Sequence, residues 1–336
     1  MTLNRRQTLQ GLGASALVAG LATPALASGK VTVGALRLTS HAASFVAVER
    51  GYFKAAGMDV ELRFFDAAQP MAVAIASGDV DFGITAISGG LVSLAQKGAL
   101  KVIGGALQEE AGIDGQKILV SDTAFQSGVT APSMLDGRSF AITQAGSSFH
   151  YMGSKIAAAE GIDMRFRPLQ KVGAIIGALK SGQIDAWSIV PHIAKALAGS
   201  GAVHIIGDVA DYIPDYQVTT VFTSTANTTT NRAASEAFLK VFSRGIEDFN
   251  AALVDKTLGD GARDEMVSLI HKYVYTDRPI ERAAPSIING AMRLNPNAGL
   301  TRASVQDQLD WFKSSDLIDA DVTYDTVVDS SFVATI

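Results

Sequence analysis

A segment that recurs at constant offset constrains this chain more than any other feature. Ser77-Gly78-Asp79-Val80-Asp81-Phe82 returns 104 residues later as Ser181-Gly182-Gln183-Ile184-Asp185-Ala186. The same offset carries Gly57-Met58-Asp59-Val60 onto Gly161-Ile162-Asp163-Met164, Arg63 onto Arg167, Ser44-Phe45 onto Ser148-Phe149 and Thr39 onto Thr143. At an offset of 103, Gly98-Ala99-Leu100-Lys101-Val102-Ile103-Gly104 matches Gly201-Ala202-Val203-His204-Ile205-Ile206-Gly207. A duplicated supersecondary unit leaves this kind of trace. Two unrelated β-α-β units would also share a glycine after the helix and apolar strands between; the steadiness of the register favours duplication.

Each copy reads as the same series of elements. A strand (residues 31–38; 139–143) leads through a Ser/Thr/Gly turn into a helix (44–56; 148–160) stopped by Gly57 or Gly161. A short strand (60–64; 165–169), an Ala/Ile-rich helix ending at the Ser-Gly pair and another strand (82–85; 186–190) follow. Alternation of this kind predicts parallel sheets with right-handed crossovers. The expected fold is α/β, two similar doubly wound lobes joined by a two-strand hinge. The apolar runs Lys117 to Thr123 and Gln217 to Thr225 read as the two crossings, with lobe one at residues 28–118 plus 222–336 and lobe two at 119–221. Beyond the second crossing, Phe238, Val241, Phe242, Ile246, Phe249 and Leu253 share one helical face, and Val305, Leu309 and Phe312 repeat the pattern more briefly. Both stretches are expected to pack on lobe one.

The first 27 residues read as an export signal. Arg5 and Arg6 precede an apolar run from Gly11 to Ala22 that closes on Ala25-Leu26-Ala27, a small-residue cleavage site. The arginine pair and the Gly/Ala-rich core resemble a twin-arginine signal, so the expected location is the periplasm, with cleavage after about Ala27. The run is short of the roughly 20 apolar residues a membrane span needs. The chain has no cysteine, which removes disulfides, thiolate catalysis and Cys-ligated zinc together. Its 28 Lys and Arg against 33 Asp and Glu give a charge of -5, and loss of Arg5 and Arg6 takes it to -7. A mildly acidic chain without a basic cluster argues against nucleic acid as a partner. A mean hydropathy of +0.22 fits strands covered on both faces.

In open α/β sheets the binding crevice lies beyond the carboxyl ends of the strands, where helices begin with unpaired N–H groups. Small polar residues occupy those places here. Lobe one offers Thr39, Ser40 and His41 after its first strand and Thr85, Ala86 and Ser88 after a later one; lobe two offers Gly146, Ser147 and Ser148, then Ser188 and Pro191. Such helix starts suit an anion or a carbonyl, although Ser and Thr cap helices whether or not anything binds. Phe149, His150, Tyr151 and Trp187 offer stacking surface near the cleft, although Phe45 and Phe149 correspond through the repeat and read first as core. Arg37, Gln108, Glu109 and Tyr216 are secondary candidates: Arg37 as an anion clamp, and Glu109 or Glu110, if turned inward, as a group that disfavours a bare anion. His41, His150 and His192 lack metal-ligand spacing, so no metal or cofactor is expected.

The chain resembles the periplasmic binding proteins of ABC importers for sulfonates, taurine, nitrate and thiamine-type pyrimidines. The stretches that carry the likeness are Glu49-Arg50-Gly51-Tyr52-Phe53-Lys54-Ala55-Ala56-Gly57, Ser77 to Gly83, Leu135-Asp136-Gly137-Arg138-Ser139-Phe140-Ala141 and Ser181 to Trp187. The resemblance implies a type II two-lobed binding fold, a cleft that closes on a small-molecule ligand, and docking of a monomer on an ABC permease in the inner membrane. It also implies ligand contacts at Ser40 and His41, Thr85 and Ala86, Gly146 to Ser148, and the residues after Trp187. Where such proteins often carry Asp-Pro or Glu-Pro, this chain has Val190-Pro191, so the polar contact implied there has no counterpart. Pyrimidine-forming enzymes share the fold and supply the main alternative, with a ligand-presenting sensory protein as another. The chain has no Gly-x-Ser-x-Gly elbow and no phosphate-loop signature, so an enzyme is not expected.

Overall fold

A computed structural model describes residues 30–332 of the chain. The expected export signal lies outside them. Ten strands form two five-stranded sheets. In chain order they are β1 (Lys30–Ala35), β2 (Asp59–Phe64), β3 (Phe82–Thr85), β4 (Leu100–Gly105), β5 (Lys117–Ser121), β6 (Ser139–Ile142), β7 (Arg165–Pro168), β8 (Ala186–Ile189), β9 (Val203–Asp208) and β10 (Thr220–Ser224). The first sheet runs β2-β1-β3-β10-β4 and the second β7-β6-β8-β5-β9. The two orders are the same once each strand is matched to its counterpart.

The repeat seen in the sequence is therefore structural. The helix Ala68–Ala76 corresponds to Val172–Lys180 and β3 to β8, each pair 104 residues apart and equal in length. β4 and β9 lie 103 apart, and so do β5 and β10. The last pair shows how the lobes are joined. The chain leaves the first sheet after β4 and contributes β5 to the interior of the second; it leaves the second after β9 and contributes β10 to the interior of the first. Each lobe is thus completed by a strand arriving from the other half.

Two expectations are corrected by this exchange. The sheets are not wholly parallel, because β10 runs antiparallel to β3 and β4, and β5 antiparallel to β8 and β9. A strand that enters from the opposite lobe needs no helical crossover, so the rule that makes successive strands parallel does not reach it. The apolar runs read as crossings are also these interior strands, not the crossings themselves. Each ends in a serine that caps a short helix: Ser121 accepts from Ala124 N at 3.1 Å and Ser224 from Asn227 N at 3.3 Å. The crossings are residues 106–116 and 209–219, paired by Ala106 N to Thr219 O (2.9 Å), Val218 N to Leu107 O (2.8 Å) and Glu109 N to Tyr216 O (2.9 Å).

The Ser-Gly-x-x-Asp motif has the same structural work in both copies. Ser77 Oγ donates to Ala74 O at 3.1 Å, and Ser181 Oγ to Ala178 O at 3.1 Å. Gly78 (φ 83°) and Gly182 (φ 70°) take the left-handed conformation that ends the helix. Asp81 then accepts from Thr32 N at 2.7 Å, and Asp185 from Ser139 N at 2.8 Å. Each carboxylate pins the start of the lobe's first strand beside β3 or β8.

After β10 the chain stays with the first sheet. The helix Arg232–Phe249 buries Phe238, Val241, Phe242, Ile246 and Phe249. Phe238 stacks on Phe82 with centroids 4.0 Å apart and on Phe53 at 5.5 Å, so this helix closes one face of the sheet. The helix Arg302–Ser314 covers the other with Val305, Leu309 and Phe312, which join a second core around Met71, Leu91 and Phe222. Among the described residues no helix is long and apolar enough to cross a membrane.

Candidate functional site

The carboxyl ends of the strands in both sheets face each other across a cleft. Leu36, Leu38, Ser40 and His41 reach it from the turn after β1, Thr85 and Ala86 from β3, Thr143, Ser147, Ser148 and Phe149 from the turn after β6, and Ile189 and Val190 from β8. The lining respects the duplication. Thr85 and Ala86 face Ile189 and Val190, 104 residues on, and Ala68 faces Val172 by the same offset. At the β3/β8 position the first lobe therefore presents a hydroxyl where the second presents an apolar wall. Leu107, Gln116, Val218 and Thr219 from the crossings form the floor. The cleft is partly open and offers about 60 Å³, room for several waters or a small solute that displaces them.

Several buried polar atoms on the elements that build the cleft have no protein partner, and of these only the Gln116 atom belongs to a residue that lines it. They are Thr39 Oγ1, Glu109 Oε2, Gln116 Nε2, Trp187 Nε1, Ser188 Oγ, His192 Nε2 and Tyr216 OH. Native proteins leave few such atoms unpaired, so ordered water or a guest is expected to complete the one that reaches the lining. His41 is 2 % exposed and its Nδ1 accepts from Leu36 N at 3.4 Å. Burial pushes the pKa of His41 down to about 3 and, with the neighbouring His41, that of His192 to about 3, so both rings are neutral. Glu109 is 1 % exposed; burial pushes its carboxyl up to about 7, against the pull of its bond from Gln116 N at 3.0 Å.

The remaining candidates stand behind or beside the cleft. Ser88 caps the helix Gly89–Gln96 by accepting from Leu91 N at 3.2 Å. Gly146 (φ 72°) turns the chain so that its carbonyl accepts from Gly89 N at 2.9 Å, a bond that joins the two lobes at the mouth. His150 is held in the same turn, its Nδ1 accepting from Gly146 N at 3.1 Å and its ring edge-on to Trp311. Trp187 and Ser188 are fully buried behind Ile189, and Pro191 opens the helix Pro191–Gly199 without an N–H to offer. Arg37 lies outside: its guanidinium sits 3.9 Å over the Phe64 ring and donates to Tyr273 O. Gln108 is engaged with Asn295 and Thr301, and Glu110 pairs with Arg293 at 2.9 Å. Tyr216 is buried against Tyr151 and Glu109, and its hydroxyl pKa is pushed up by that burial.

Sequence reasoning passed over Gln116, Val218, Thr219, Ala68 and Val172. The last two share the 104-residue offset, so the repeat could have found them. The first three lie on the crossings, whose place beneath the cleft depends on the strand exchange. Phe149, read first as core, lines the cleft and meets Trp187 edge-on at 5.3 Å, whereas its repeat partner Phe45 is core, stacked on Tyr273.

A second set of contacts bridges the lobes. Asp307, on the helix Arg302–Ser314, accepts from Tyr151 OH and pairs with Lys155 at 3.0 Å, both on the helix Ser148–Glu160. His192 Nδ1 lies 2.7 Å from Tyr275 OH, which in turn donates to His192 O at 3.0 Å. Together with the Gly89–Gly146 bond, these contacts hold the cleft in a closed arrangement.

Comparison with known proteins follows the same outline. A family model described as NMT1/THI5 like matches residues 38–252. A search of curated proteins finds no sequence match. Among solved structures, the periplasmic aliphatic sulphonate binding protein of Escherichia coli superposes with a TM-score of 0.66 at 18% identity, covering 89% of this chain and 92% of that one. The periplasmic nitrate-binding protein of Synechocystis gives 0.70 at 13% identity, over 90% and 86%. The ligand binding component of an ABC-type import system of Staphylococcus aureus gives 0.69 at 16% identity, over 90% and 97%. The chain has the fold of these periplasmic binding proteins.

Proposed function

This chain belongs to the NMT1/THI5-like family, and from that premise we propose that it is an extracytoplasmic solute-binding protein that captures a small organic molecule between its lobes and delivers it to an ABC importer. The observation that carries this reading is the convergence of residues from four turns, two in each sheet, on one cleft lined by the hydroxyls of Thr85, Thr143, Ser147 and Ser148. A guest that touches lining residues of both sheets stabilises the closed arrangement over an open one, because only the closed form lets it contact both sides at once. The solved relatives named for sulphonate and nitrate binding support a binding role, and the expected export signal at residues 1–27 supports a periplasmic site of action.

Binding does the whole task in this reading; no bond is made or broken. A thermal-shift screen of small organic solutes followed by titration calorimetry tests the proposal. It predicts one site per chain and a melting point that rises with solute concentration, by about 2.7 kcal/mol of stability at a hundred times the dissociation constant. Chemical conversion of the bound solute by the isolated protein would contradict it.

A further inference from the structure

We propose that the cleft selects an uncharged solute carrying a hydrogen-bonding group on an apolar body, and rejects sulfonates and carboxylates; this rests on the reading of the cleft as the solute site. Among the described residues, none that lines the cleft is lysine or arginine. Three cations adjoin lining residues in the chain and all are engaged elsewhere: Arg37 with Phe64 and Tyr273 O, Lys117 with Asp114 and Asp208, and Lys171 with Asp66. His41 lines the cleft as a neutral ring. An anion enclosed there would lose its hydration and meet no counter-charge, a cost that hydroxyl contacts do not offset.

The helix starts carry only partial charge, and several of their N–H groups are already used. The N–H groups of Gly89 and Leu91, at the start of Gly89–Gln96, are used by Gly146 O and Ser88 Oγ. Ser147 Oγ takes that of His150 in the first turn of Ser148–Glu160. Pro191 opens the third helix and has no N–H. Behind the floor, the buried Glu109 carboxyl accepts from the backbone of Gln116, the same residue whose side chain lines the cleft. Any ionisation of that carboxyl repels an anion and leaves a neutral solute untouched.

The groups that do face the space fit a neutral polar head. Gln116 is 2 % exposed and its side-chain amide lies beside the Glu109 carboxyl; the NH2 group carries two donors, and with one directed at that carboxyl the other is left for a carbonyl or hydroxyl oxygen of the solute. The hydroxyls of Thr85, Thr143, Ser147 and Ser148 can donate or accept. Leu36, Leu38, Leu107, Phe149, Ile189 and Val218 supply apolar walls for the rest of the molecule.

The test is a matched series in which shape is held and charge is changed: propanamide, propanoate and ethanesulfonate, then benzamide, benzoate and benzenesulfonate, each titrated by thermal shift and calorimetry at pH 7.5 against the full mature chain. The proposal expects an amide to bind on the order of tenfold or more tightly than its matched anions. It also expects amide binding to weaken several-fold in Gln116→Ala, checked as folded by circular dichroism. An anion that binds as well as or better than its amide overturns the inference and leaves solute capture standing. Amide binding that is unchanged in Gln116→Ala places the site elsewhere and overturns it too. No stabilisation by any compound of either series, at concentrations up to the millimolar range, overturns both the inference and the capture reading.

Discussion

At the scale of single residues, the two ring systems His41 and His192 tie the fold to pH. Each has an ordinary pKa of 6.5 that burial lowers to about 3. A depressed pKa means that the neutral ring contributes its stability above 6.5 and loses it as pH falls from there toward 3. The groups facing the pair are each other, Leu36 N on His41 and the Tyr275 hydroxyl on His192. Glu109 acts in the opposite sense: its carboxyl is raised to about 7, so its contribution is present below about 4.5 and is lost as pH rises through 7. Two histidines against one carboxyl leave the protein less stable at pH 5 than at pH 7, with each ring contributing up to about 1.4 kcal/mol per pH unit below 6.5. A melting-temperature profile over that range checks the direction, and the slope should steepen in Glu109→Gln and weaken in His192→Gln. At the cleft, Thr85→Val removes a hydroxyl and little volume, so it should weaken solute binding with melting temperature nearly unchanged. Ser147→Ala removes a cap as well as a lining hydroxyl, so calorimetry should show weaker binding and unfolding about 1 kcal/mol of lost stability.

At the scale of elements, the seam between the helices Ser148–Glu160 and Arg302–Ser314 is the contact to test. Asp307 receives both Tyr151 and Lys155 across it, so Asp307→Ala should weaken binding by about 1 to 3 kcal/mol through the closed form it destabilises. Trp311 packs edge-on against His150 and Tyr151 in the same seam, so its fluorescence should change on solute binding in the parent and change less in the variant. The helix Arg232–Phe249 has a different task. Phe238→Ala removes the ring stacked between Phe53 and Phe82 and should cost about 3 to 5 kcal/mol without touching the cleft. Much of this was legible in the sequence because period and offset are local properties: the Ser-Gly pairs, the amphipathic face from Phe238 to Leu253 and the four polar turns all follow from spacing. The antiparallel strands β5 and β10 were not, since strand direction depends on which lobe a segment enters. Gln116 and Thr219 were missed for the same reason. Trp187 and Arg37 were misjudged as cleft candidates because burial behind a strand, or rotation onto Phe64, leaves no mark on spacing.

At the scale of the whole molecule, the duplication explains why a cleft exists at all. Two lobes of one topology, each completed by a strand from the other, meet at the ends of their sheets, and the paired crossings set the floor. The five strands of the second sheet are contiguous in the chain, whereas the first sheet receives its interior strand β10 only after the second has been traversed. The most direct measurement is a crystal structure of the mature protein with the solute that stabilises it most. The account predicts that solute between the sheets, touching Thr85 or Gln116 on one side and Ser147, Ser148 or Phe149 on the other. A solute bound to one lobe alone with the cleft open, or on a surface remote from these residues, would contradict it.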